Sequence, residues 1–109
     1  MLAGKFILTG KSEFDRVKQE GQVIQSESFG TSLIKEEGQS KFGFIVSNKI
    51  SNSAVERNRI KRALKEAIRG SISKVGTGFK MVFFAKPLVS KHTAQEIENE
   101  VKRVLSKII

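Results

Sequence analysis

Residues 55–69 read VERNRIKRALKEAIR, and the side chains in this stretch are suited above all to gripping anions. Arg57, Arg59, Lys61, Arg62, Lys65 and Arg69 are set against only Glu56 and Glu66. Arginine offers phosphate a planar fork and lysine a compact point charge. Asn58 adds a neutral donor and acceptor suited to phosphate or a 2′-hydroxyl, at some cost in helix propensity. At about 100° per residue, Ile60, Leu64, Ala67 and Ile68 gather on one side of a helix. Asn58, Lys61, Arg62, Lys65 and Arg69 gather on the other, with Arg57 and Arg59 at the margins. A charged run is most often a solvated helix face, but such faces usually mix signs because i, i+4 pairs of opposite charge support the helix. Lys61, Lys65 and Arg69 form instead an i, i+4, i+8 series of like charges, each repulsion costing roughly 0.2–0.5 kcal/mol. The segment also sets cations near the positive end of its own helix dipole. A polyanion that relieves this repulsion is the reading these costs favour.

The rest of the chain narrows the choice of partner and chemistry. The formal charge is +9, and residues 38–95 hold twelve Lys and Arg against Glu56 and Glu66 alone. Charge segregated in this way attracts nucleic acid first and an anionic membrane second. There is no cysteine, so disulfides, thiolate nucleophiles and Cys-based zinc sites are excluded together. His92 is the only histidine and Asp15 the only aspartate, a poor donor set for a two-metal protein nuclease, which needs clustered carboxylates. No protein residue is expected to be catalytic or to bind metal. No apolar run approaches the roughly 20 residues of a membrane span, and the opening MLAGKFILTG is too short in its apolar run for a secretory signal; a cytoplasmic protein without membrane contact is expected.

These side chains must be positioned by a small fold. The length of 109 residues suits one domain, 1–109. Three segments carry helix signals. KSEFDRVKQEG offers Ser12 as N-cap, Phe14 and Val17 on one face, and Gly21 as a stop. The basic segment begins at SNSAVE, where Ser53 and Glu56 match the S-x-x-E capping spacing, and is expected to end at Gly70. TAQEIENEVKRVLSKII has its own box in Thr93 and Glu96 and an apolar stripe of Ile97, Val101, Val104, Leu105 and Ile108. Strand patterns fall between the helices: QVIQSE and SFGTSLIKEE, then KFGFIVSNK, and GTGFKMVFFAK closed by Pro87. Phe42, Phe44, Phe79 and Phe83 alternate as core residues. The order αβββαβα predicts an α+β fold, a two-layer α/β sandwich in which helices cover one face of a four-stranded sheet and leave part of the other open.

RNRIKR (57–62), inside the longer run FGFIVSNKI…AVERNRIKRALKEAIR, resembles the RNR signature of the protein subunit of bacterial ribonuclease P. VFFAKP and EFDRVKQEG fit the same family, and the resemblance covers nearly the whole chain. It implies a mixed four-stranded sheet like that of a domain of some ribosomal proteins, with a left-handed β-α-β crossover where a right-handed one is the general rule. It also implies a role: binding the catalytic RNA that removes the 5′ leader from precursor tRNA by Mg2+-dependent hydrolysis, the ion being held mainly by RNA, and holding the leader. No obligate protein partner is implied. Carried over by position, Lys49, Arg57, Asn58, Arg59, Lys61, Arg62 and Lys65 form the surface for the catalytic RNA, and Arg69 joins them by helix geometry. Phe14 resembles the aromatic that borders the leader cleft, or is a core residue anchoring the first helix. Lys18 and Ser32 stand in that cleft where many members carry aromatics, and Met81 replaces another. A ribosomal or other RNA-binding protein of similar fold is the alternative.

Overall fold

The computed structural model describes residues 2–109. Seven main elements follow the expected order: α1 (Lys11–Glu20), β1 (Gln22–Gln25), β2 (Phe29–Lys35), β3 (Lys41–Ile45), α2 (Ala54–Val75), β4 (Phe79–Ala85) and α3 (Ala94–Ser106), with 3-10 turns at Gly4–Phe6 and Pro87–Lys91. The sheet is mixed and ordered β1-β2-β4-β3. β2 runs antiparallel to both β1 and β4, whereas β3 runs parallel to β4 and is joined to it through α2.

Alternation along the strands sorts side chains onto two faces. Phe29, Leu33, Phe42, Met81 and Phe83 point to one side, where they meet Ile60, Leu64 and Ile68 of α2 and Ile97, Val101 and Leu105 of α3 in one buried cluster. Ile34, Ile45 and Val82 point to the other and meet Val17 and Phe14 of α1, together with Leu8. The first helix therefore lies across the sheet face opposite α2 and α3, and covers part of it. Its seat is tight at Gly21, which has an ordinary φ of −76°. A Cβ there would run into the carbonyls of Val17 and Leu33 and the hydroxyl of Ser32, so it is the close approach of helix and strand that demands glycine.

The helix ends depart from expectation in two places. The N-cap of α1 is Gly10 (φ 90°), and Ser12 falls inside the helix as an exposed first-turn residue. α2 does not stop at Gly70 but continues to Val75 and ends at Gly76 (φ 69°). One interior glycine costs about 1 kcal/mol, and burial of Ser71 and Val75 beyond it offsets that. At the other end of α2 the Ser53 hydroxyl accepts from the Glu56 amide at 3.2 Å. The Glu56 carboxylate turns to Arg59 instead of closing the box. Thr93 and Glu96 of α3 close theirs in both directions.

A four-membered ionic cluster fastens α1 to the sheet. Arg16 reaches Glu13 at 3.0 Å and Glu36 at 2.7 Å, and Lys80 reaches the same two carboxylates at 2.9 and 2.7 Å. Hydrogen bonds from Arg16, then from Lys80, hold the Glu13 carboxyl down to about 2.

Among the described residues, one buried side-chain group is unsatisfied: the Thr31 hydroxyl has no hydrogen-bond partner. Replacing Thr31 with Val keeps the shape and removes the desolvation penalty, so stability is expected to rise by about 1 kcal/mol, read as a higher urea midpoint at unchanged slope.

Candidate nucleic-acid interface

The cationic side of α2 divides into two sets. Arg59 is drawn off by its own helix: Nε and Nη2 donate to Glu56 at 3.1 and 2.7 Å, and Nη1 donates to the His92 carbonyl at 3.2 Å. Arg69 is likewise paired with Glu66. These contacts hold both glutamates below the usual carboxylate range. Arg57 donates to the Ser51 carbonyl at 2.8 Å, tying the first turn of α2 to the segment before it. The second set is Lys61, Arg62 and Lys65, which make no hydrogen bond or ion pair among the described residues. They line one groove of about 360 Å³ together with Asn58, Glu66, Leu2 and Ile7. Lys49 is exposed in the connection before α2. The ridge read from the sequence is thus uncompensated at its centre and balanced internally at Arg59 and Arg69.

The α1 face holds the residues expected to border a single strand, with two corrections. Phe14 is half-buried, and its ring lies over Gly43 so closely that a Cβ there would collide with it. It anchors the helix on the sheet while keeping part of its surface open. Lys18 is exposed. Ser32, expected to line the cleft, is 1% exposed and its hydroxyl donates to the Val17 carbonyl at 2.7 Å; α1 covers it, so it offers nothing to a ligand. Met81 is fully buried on the opposite face. The aromatic that β4 does present on the α1 side is Phe84, half-buried over Gly30. The sequence reading missed it, although strand parity with core residues Phe79 and Phe83 marks it.

Comparison with known proteins decides the family. The Ribonuclease P family model matches residues 2–109. The chain belongs to the ribonuclease P protein family. A ribonuclease P protein component from Brevibacillus brevis is 35% identical over 102 residues, covering 92% of this chain and 80% of that one. One from Rippkaea orientalis is 33% identical over 106 residues, covering 92% and 84%. Among solved structures, the ribonuclease P protein of Thermotoga maritima superposes with a TM-score of 0.84 at 23% identity, covering 94% of this chain and 97% of that one. That of Staphylococcus aureus gives 0.80 at 26% identity, covering 97% and 92%. Membership carries a role in tRNA processing as a protein component of ribonuclease P, and favours that role over the ribosomal alternative.

Among the described residues, the one Ser, His and Glu grouping is structural. His92 Nδ1 lies 2.6 Å from the Ser28 hydroxyl and 3.9 Å from Glu100, so both partners crowd one ring nitrogen. A nucleophilic relay needs them on opposite nitrogens. Ser28 is also fully buried. Glu100, 2% exposed, accepts from the Ser26 hydroxyl at 2.6 Å and the Ser28 amide at 2.8 Å, fastening α3 to the turn between β1 and β2. Among the described residues no three His, Asp or Glu side chains stand together as a metal-ligand set. Among the described residues no helix is long and apolar enough to cross a membrane.

Proposed function

We propose that this chain docks against the catalytic RNA of ribonuclease P through the centre of α2 and guides the precursor tRNA leader across the open part of the α1 face. The observation that carries the reading is the convergence of Lys61, Arg62 and Lys65 on one groove without acidic partners among the described residues. Asn58 lies in the same groove, and Lys49 adds an exposed charge in the connection between β3 and α2. Arg57 and Arg59 keep spare donors on guanidinium groups already oriented by Ser51, Glu56 and His92, so an approaching phosphate meets them in fixed positions. On the other side of the sheet, Phe14 and Phe84 supply surfaces on which bases stack, worth about 1–3 kcal/mol each, and Lys18 supplies charge.

In this reading hydrolysis of the phosphodiester belongs to the RNA and its Mg2+. The protein binds, orients, and lowers the electrostatic cost of bringing two RNAs together. The test is processing of precursor tRNA by the cognate RNA, titrated with this protein across Mg2+ concentrations. Cleavage at low Mg2+ that rises with added protein is expected. Cleavage indifferent to the protein at every Mg2+ concentration would overturn the reading.

A further inference from the structure

The groove beside α2 has a floor that phosphate alone does not call for. Leu2 is 5% exposed and Ile7 half-buried, and both line the groove beneath the cations. This floor is pinned before any ligand arrives. The Ile7 amide donates to the Gly4 carbonyl at 3.0 Å, the Leu8 amide donates to the Phe42 carbonyl at 2.9 Å, and Ile7 forms a parallel bridge with Phe42 of β3. Lys61 and Lys65 are themselves half-buried, as expected of lysines that lay their stems along apolar surface and keep their heads in water. Glu66 closes the groove with its carboxylate engaged by Arg69.

Two simple partners fit poorly. The backbone of a continuous duplex would use the three cations and leave the apolar floor uncovered, because its bases are stacked inside. An apolar peptide would cover the floor and leave the cations without a counter-charge. A volume of about 360 Å³ lies at the small end of ligand-sized cavities. An unstacked nucleotide satisfies both halves at once, with an apolar base face for the floor and phosphates on either side for the rim.

We infer that this groove takes one extruded nucleotide of the partner RNA, its base against Leu2 and Ile7 and its flanking phosphates against Lys61, Arg62 and Lys65. The inference rests on the reading of α2 as the RNA-docking helix and adds that recognition there is of an unpaired position. Specificity at this site then comes from RNA shape, since single-stranded bulges are where a protein reaches a base face in an otherwise A-form helix.

The test compares the full chain bound to two hairpins that differ at one place: a single bulged adenosine, or an abasic residue at the same bulge. Both hairpins share charge and flexibility, so their difference isolates the base. Binding to the adenosine hairpin is expected to be on the order of tenfold tighter, the scale of one stacked base. In Ile7→Ala that advantage is expected to shrink while affinity for the abasic hairpin stays unchanged. Equal affinity of the wild-type chain for the two hairpins overturns the inference. If that chain still lowers the Mg2+ requirement of precursor processing, the docking reading survives without it. Should Ile7→Ala fail to fold, a photoreactive 8-azidoadenosine at the bulge gives a second readout: crosslinks to residues 2–7 or to Lys61 and Lys65 support the site, and crosslinks confined to other segments overturn it.

Discussion

Replacing Lys61, Arg62 and Lys65 together with alanine is expected to weaken binding of the catalytic RNA about 100-fold at physiological salt, from roughly 1 kcal/mol for each of three exposed charge-assisted contacts. The salt dependence should flatten as well, with the slope of log K against log salt shrinking by about one for each phosphate contact removed. The same variant should fold at least as stably as the parent, because alanine is the better helix former and the like-charge spacing of Lys61 and Lys65 is gone. Affinity measured by filter binding at several salt concentrations, beside urea denaturation of the unbound protein, separates these two effects. A variant that lost stability in step with affinity would show that the three side chains support the fold, and the docking reading of α2 would fall.

Phe83→Ala is expected to have the largest effect on the fold, about 3–5 kcal/mol. The ring is fully buried at the middle of β4, 5.7 Å from Phe29 at an interplanar angle of 65° and 5.7 Å from Phe44 at 11°. Its strand is paired on both sides, so the neighbours have little freedom to close around the gap. Against a typical domain stability of about 5–15 kcal/mol, the melting temperature should fall by roughly 15–30 °C. A loss of under about 1 kcal/mol would mean that Phe29 and Phe44 collapse into the space.

The element order was legible because each segment carries its own period: alternating phenylalanines in β3 and β4, and an apolar stripe at helical spacing in α2 and α3. Helix ends were less so. Ser12 has the chemistry of a cap, but Gly10 supplies the turn one residue before the helix. Gly70 has the look of a stop, but the core continues past it. The side of the sheet on which α1 lies has no local signature, since an amphipathic stripe says that a helix is covered and not by which face. That gap moved Ser32 from the expected cleft into the interior. Two features were present in the sequence and went unread. Glu56 with Arg59, and Glu66 with Arg69, have the i, i+3 spacing that lets opposite charges meet on a helix. Phe84 follows core residue Phe83 and must face the other way. The groove over Leu2 and Ile7 had no such signal, because it joins residues more than fifty positions apart.

The position of β4 in the sheet has a consequence for how the chain is made. It sits between β2 and β3, yet it is the last strand to leave the ribosome, after the whole of α2. Until residues 79–85 emerge, the hairpin of β1 and β2 has an open flank and β3 has no neighbour to zip onto. Unpaired flanks of this kind invite association between nascent chains. The repulsive charge of α2, synthesised just before β4, keeps such intermediates apart during that interval.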